Sequence, residues 1–214
     1  MQGKIANRIL ITNDDGINAP GIAILETIAR RLADEVWVVA PEHDRSGAGQ
    51  SISIHSPLRV YQVGANRYSV SGTPADCVLY SLAEWFGEKP PDLVVSGVNC
   101  GANISDSVQY SGTVGAVLSA HHMNIPAIAL SQAYLNRDDV RWSPVETFAE
   151  AVIRRLYHPG QVLAWNVNFP ACEAAAITVA RWCRQSNGSI PQPTPVAGRD
   201  TPTLPNWRAG LKRR

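Results

Sequence analysis

Two adjacent carboxylates, Asp14 and Asp15, stand in NRILITNDDGINAPG (residues 7–21), directly after a short β-branched apolar run at 8–12. Like charges that close repel, and each partly desolvated carboxylate resists ionising. A divalent cation turns that repulsion into attraction, so the pair asks for a metal. Two further segments carry oxygen donors in equivalent places. EHDRSGAGQ follows the apolar run EVWVVAP and holds Asp44 and Ser46. SGVNCGANISDSVQYSGTVGA ends the run PDLVVSG and holds Ser96, Asn99, Asn103, Ser111 and Thr113. Carboxylates, hydroxyls and amide oxygens form a hard donor set, suited to Mg²⁺, Mn²⁺ or Ca²⁺ rather than to zinc or copper.

Each segment taken singly has a plainer reading. NDDG is a common turn, because Asn, Asp and Gly tolerate the backbone shapes turns require. DRSGAGQ reads as a flexible loop. SGTVGAV, opening a helix, reads equally as a Ser/Thr cap or as an anion site at free N–H groups. It has no P-loop lysine, which argues against a triphosphate. The histidines are weaker still: His121 and His122 fall late in a helix, His55 follows a predicted strand, His158 precedes a turn, and His43 lies in a solvated loop.

The elements that must position these donors alternate between strand and helix. Strands are predicted at 8–12, 35–41, 91–97, 125–131 and 161–170, with shorter, half-exposed ones over SISI (51–54) and LRVYQVGANRYSV, where GAN makes the hairpin turn. Helices are predicted at 19–32, 73–86, 113–123 and 143–158, two of them opening on a first-turn proline, Pro20 and Pro74. Alternation of this kind builds a mostly parallel sheet with helices on both faces. In such folds, ligands bind outside the carboxyl ends of the strands. That is where Asp14, Ser46 and Asn99 fall.

The 214 residues suit one domain with a full core, and 45% hydrophobic with 17% charged is ordinary for a globular chain. Nothing approaches a membrane span, and MQGKIANRIL lacks the apolar centre of a signal peptide. Cys77, Cys100, Cys172 and Cys183 form no C-x-x-C pair, which fits reduced thiols in a cytoplasmic protein. The net charge of +1 conceals an asymmetry. Residues 1–180 hold 12 Lys and Arg against 17 Asp and Glu, whereas 181–214 hold 7 against 1. An acidic body argues against a nucleic-acid surface.

Taken together, ILITNDDGINAPGI, VVAPEHDRSGAGQSISI, SGTPADCV, DLVVSGVNCGANISDSVQYSGTVGA and the closing WNVNFP resemble the SurE family, in order, from about Ile9 to Pro170. The resemblance implies a Rossmann-like, three-layer α/β/α fold. It implies hydrolysis of nucleoside 5′- or 3′-monophosphates, with some action on short polyphosphate, and one divalent cation per subunit, Mg²⁺ or Mn²⁺. Matched residue by residue, it places the metal ligands on Asp14, Asp15, Ser46 and Asn99, with catalysis resting on Asp14, Asp15 and Asn99. It puts Asn13, Asn103, Ser111, Gly112 and Thr113 on the phosphate side and Thr73 to Asp76 beside the pocket. It also implies a homo-oligomer, dimer or tetramer.

The likeness stops near residue 180, so the expected division is a core over 1–180 and an atypical tail over 181–214. CRQSNGSIPQPTPVAGRDTPTLPNWRAGLKRR is proline-rich and basic, with the composition of a linker. Suitable codons for GRDTPTLPNWRAG, read in a shifted frame, encode Ala-Gly-His-Thr-Asp-Phe-Ala-Glu-Leu-Ala-Arg-Gly. That resembles the GTDFxxxxxG stretch expected near the family's C-terminus, so a frameshift accounts for the tail. Such a change leaves the metal ligands intact, removes the segment that helps build the oligomer, and makes an inactive or misassembled homologue the alternative outcome. Two other rivals fit less well. A receiver domain needs a phospho-accepting Asp at the end of the third core strand and a later lysine, yet none occurs between Lys89 and Lys212. A dinucleotide-binding module needs G-x-G-x-x-G where this chain has DDGINAPG.

Overall fold

The computed structural model describes residues 3–181 and Cys183. Almost all of the expected tail, with its proposed frameshift, lies outside the described residues. Seven strands form one sheet in the order β3-β4-β2-β1-β5-β6-β7. They are β1 (Ala6–Thr12), β2 (Ala33–Pro41), β3 (Val60–Gly64), β4 (Arg67–Val70), β5 (Leu93–Cys100), β6 (Ala127–Gln132) and β7 (Ala164–Phe169). All neighbours pair in parallel except β3 and β4, the antiparallel edge hairpin that turns over Ala65 and Asn66. This is the three-layer α/β architecture read from the alternation.

Helices α1 (Pro20–Leu32) and α5 (Ser143–Leu156) cover one face. In α1, Ile22, Leu25, Ile28, Ala29 and Leu32 recur at helical spacing and bury against Ile9, Ile11, Val38 and Val95. Helices α2 (Pro74–Ser81) and α4 (Gly112–His122) cover the other face, packing on Leu10, Val39, Val94 and Ala129. A single turn, α3 (Ser107–Tyr110), precedes α4. The predicted helix at 73–86 ends its α-helical part at Ser81 and continues as a π-helical turn over Leu82–Phe86.

SISI is not a strand. Ile52 and Ile54 are exposed, and the backbone is held by side chains at the start of α2 instead of by a ladder. The Thr73 hydroxyl donates to the Ser51 carbonyl at 2.6 Å, and Ser53 donates its N–H and its hydroxyl to Asp76 at 2.9 and 2.7 Å. His55 therefore sits in a loop.

The parallel order reverses direction at β1, whose neighbours β2 and β5 are reached by connections running opposite ways. The crevice outside the ends of β1 and β5 is the switch point where α/β sheets bind ligands.

β5 carries an irregularity that decides the site. Val94 faces the α2/α4 side and Val95 the α1/α5 side, so strict alternation would send Val98 to the α2/α4 side and Asn99 away from it. Between Ser96 and Asn99 the register against β6 slips by one residue, from Ser96 opposite Ala129 to Asn99 opposite Ser131. Val98 consequently joins the α1/α5 core, and Asn99 moves to the α2/α4 side. Gly97 makes this possible. Its φ is +135°, and a Cβ there would lie 2.3 Å from the Leu130 carbonyl oxygen.

Candidate active site

Asp14 is 3% exposed, and the start of α4 closes over it. The Thr113 hydroxyl donates to Asp14 Oδ1 at 2.5 Å, while a Cβ on Gly112 would stand 2.8 Å from the Asp14 Cβ. Glycine is thus needed at the first helical position so that the start of α4 can approach the carboxylate this closely. Ser111 caps the helix, accepting from the Val114 N–H at 3.1 Å. Asp15 is half-buried, and its Oδ2 accepts the Cys100 N–H at 2.9 Å. Asp14 is thus bonded by both the hydroxyl and the N–H of Thr113, and Asp15 by the Cys100 N–H.

Burial raises the pKa of Asp14, with the Thr113 hydrogen bonds opposing and Asp44 adding to the rise. Burial, followed by the charge on Asp14, pushes Asp15 up to about 6, while Arg137 pulls it down slightly. Neither carboxylate has a Lys, Arg or His ion-pair partner among the described residues. Two adjacent carboxylates with no ion-pair partner fit a hard divalent cation. Among the described residues no group of three or more His, Cys, Asp or Glu side chains converges as a metal site.

Ser46 and Asn99 are the expected neutral oxygen donors, and they stand in the loop after β2 and at the end of β5. The loop after β2 is tied to the loop after β1 by the Arg45 N–H, which donates to the Asp14 carbonyl at 2.7 Å. Ser46 is exposed, its N–H held by Asp44 Oδ1 at 2.7 Å. Asn99 donates its Nδ2 to the Gly101 carbonyl at 2.6 Å, leaving Oδ1 as the acceptor. The loop bearing Ser46 also leans on α4. The Gly49 N–H donates to the Tyr110 carbonyl at 3.0 Å, and a Cβ on Gly115 would lie 2.0 Å from the Gly49 carbonyl oxygen. Alanine favours helix by about 1 kcal/mol over glycine, but overpacking costs roughly 1–3 kcal/mol, and here the obstacle is backbone. Gly115→Ala should therefore lower stability by about 1–2 kcal/mol, read as the urea midpoint, and lower activity as well.

The remaining expected residues take supporting places. Asn13 is buried and clasps its own loop, donating to the Gly16 carbonyl at 2.8 Å and accepting the Gly16 N–H at 3.2 Å. Thr73 and Asp76 form a capping box at α2 and pin residues 51–53. Asn103 donates Nδ2 to Ser131 at 2.9 Å and its N–H to Asn168 at 2.8 Å, while its carbonyl accepts from Asn166 and Asn168. Ser96 is buried inside the sheet layer and its hydroxyl has no partner among the described residues. His43 is exposed, beside Glu42. The sequence reading named Asp44 only as one oxygen donor of its loop and gave Arg137 no role, although Asp44 acts electrostatically on both carboxylates and Arg137 on Asp15. Only their charged residue types, in loops after β2 and β6, signalled them.

A doubly wound α/β sheet with an acidic, oxygen-lined site at its switch point defines a class in which hard-cation phosphate chemistry is common. A profile of the family described as "Survival protein SurE" matches residues 9–192, and the chain belongs to the SurE family. It is 51% identical over 185 residues to the 5′-nucleotidase SurE of Paramagnetospirillum magneticum, covering 86% of this chain and 71% of that protein. Against the 5′-nucleotidase SurE of Methylobacterium radiotolerans it is 44% identical over 214 residues, covering 97% and 84%. The crystal structure of the SurE protein from Aquifex aeolicus superposes with a TM-score of 0.76 at 33% identity, covering 84% and 73%. The family match extends past the expected boundary at residue 180.

Proposed function

We propose that this chain is a metal-dependent phosphomonoesterase that hydrolyses nucleoside 5′- and 3′-monophosphates to nucleoside and phosphate. The observation that carries the reading is the buried Asp14–Asp15 pair under the N-terminus of α4, in a chain whose SurE relatives are named 5′-nucleotidases. Asp14, Asp15, Ser46 and Asn99 would hold one divalent cation, Mg²⁺ or Mn²⁺. When bound, that cation neutralises charge on the phosphoryl group and acidifies water.

The chain's own residues do the rest. The positive end of the α4 dipole, with the Gly112 N–H, would receive phosphate oxygens beside Asp14. Asn13, Asn103, Thr73 and Asp76 act mainly by fixing the loops that wall this space, as their hydrogen bonds indicate. Asp15 has one oxygen committed to the Cys100 N–H and would turn the other to the cation, so that it orients the attacking water. The water oxygen bonds to phosphorus, the ester P–O bond breaks, and the proton given up by the water passes through solvent to the leaving oxygen, which becomes the nucleoside hydroxyl.

Short polyphosphate offers the same terminal phosphoryl chemistry and is the second substrate class. Action as a homo-oligomer, dimer or tetramer, in the cytoplasm is part of the same reading. It is supported by family membership. The test is phosphate release from a panel of 5′- and 3′-nucleoside monophosphates with Mg²⁺ or Mn²⁺. Release that stops on chelation is expected; no release from any member with either metal overturns the reading.

A further inference from the structure

The site is more acidic than one divalent cation offsets. Asp14, Asp15 and Asp44 place three carboxylates within electrostatic reach of one another. The phosphate of the substrate brings a further charge of about −1.5 to −2. A further positive group is required if that anion is to settle there.

Arg137 stands in position to supply it. It follows β6, at the same end of the sheet, in a tight turn where the Asp139 N–H donates to the Asn136 carbonyl at 3.2 Å and the Asp138 N–H to Asn136 Oδ1 at 3.2 Å. The turn directs the guanidinium across the sheet end toward the loop after β2, and Nη2 lies 3.8 Å from Asp44 Oδ2. The other oxygen of Asp44 holds the Ser46 N–H at 2.7 Å, so Arg137 reaches the very loop that carries a proposed metal ligand. Nearby basic groups are engaged elsewhere. Arg45 donates to the Ser71 carbonyl at 2.8 Å, and His43 stands beside Glu42 at 3.8 Å.

The Arg137–Asp44 contact is suited to exchange. Both side chains are 49% exposed, and at 3.8 Å the pair is loose; such exposed pairs contribute little. A phosphate offers the same guanidinium two parallel charge-assisted hydrogen bonds in a planar fork. We infer that Arg137 is a substrate-binding residue of this site, leaving Asp44 to pair with non-bridging oxygens of the incoming phosphate monoester. The inference rests on the phosphatase reading above, because it assigns the substrate phosphate to this end of the sheet. Arg137 thus selects for anionic esters and sets KM, and Asp44 holds it in place until the substrate arrives.

The experiment compares wild type, Arg137→Ala and Arg137→Lys by calorimetry, with Mn²⁺ alone and with inorganic phosphate added to the Mn²⁺-loaded protein, and by nucleoside monophosphate kinetics. Arg137→Ala should weaken phosphate binding and kcat/KM by about 10- to 100-fold, mostly through KM. Arg137→Lys should restore part of that loss, since it keeps the charge and loses the fork. Mn²⁺ affinity should hold or tighten, because a positive charge near Asp15 is gone. Phosphate affinity in Arg137→Ala within twofold of wild type overturns the inference, as does a joint fall in phosphate and Mn²⁺ affinity, which marks a loop-supporting role. If the wild type binds phosphate through Arg137 yet releases none from any nucleotide, the nucleotidase reading fails and the assignment of Arg137 stands.

Discussion

Asp15→Asn is expected to lower kcat/KM for nucleoside monophosphates by about 10³-fold or more and to abolish Mn²⁺ binding. A bound cation supplies several kcal/mol of charge stabilisation in phosphoryl chemistry, and each 1.36 kcal/mol is a factor of ten. The amide retains an oxygen that accepts the Cys100 N–H, so the loop after β1 keeps its bond to β5 and the change is confined to charge. Asp14→Asn should act in the same way, since its carbonyl oxygen still accepts the Thr113 hydroxyl. Phosphate release and calorimetric Mn²⁺ titration check both variants together. Retained activity in purified Asp15→Asn protein would remove the pair from the chemistry.

The second large effect is on stability and has the opposite sign. In the metal-free chain Asp15 titrates at about 6, raised first by burial and then by Asp14, against 3.8 in the unfolded state. The folded chain therefore binds a proton more tightly than the unfolded one. The associated stabilisation is fully present below pH 3.8 and is lost as pH rises through about 6. The upper bound for this group is about 3 kcal/mol, from 1.36 kcal/mol per unit, and Asp14 shifts in the same direction. Other carboxylates contribute with opposite sign, Glu35 among them through its bonds to Trp37 and Arg8, so the informative quantity is the difference between wild type and Asp15→Asn. The variant should melt higher than wild type at pH 8 without metal, and the gap should close toward pH 4. Millimolar Mn²⁺ should raise the wild-type Tm at pH 8 and leave it unchanged near pH 4, where protons occupy the pair. Equal melting of the two metal-free proteins at all pH values would show that the pair is not strained.

The strand and helix order was legible because buried parallel strands leave short apolar runs and surface helices leave a stripe, as in RILIT and GIAILETIARRL. The donors at strand ends were legible for the same reason, since the end of an apolar run marks the end of a strand. SISI misled because its alternation is that of a half-buried strand, while its backbone partners, Thr73 and Asp76, lie twenty residues on. The one-residue slip at Gly97 was not legible, since register is a relation between β5 and β6 and not a property of either. Yet that slip, not the residue type alone, brings Asn99 to the side of Asp14. Asp44 and Arg137 were illegible as a pair for a like reason. Their loops are separated by more than ninety residues of chain and meet only once the sheet is assembled.

The asparagine contacts around Asn103 set a limit on how short an active version of this chain can be. Asn103 lies in the loop between β5 and α4, but three of its bonds are to Asn166 and Asn168 at the far edge strand. Every proposed metal ligand precedes residue 100, so a count of ligands would place the minimal catalytic unit well before β7. The hydrogen bonds place it later. A chain ending before Asn166 would keep the whole donor set and lose all three of these fastenings of the loop that leads to Ser111 and Thr113.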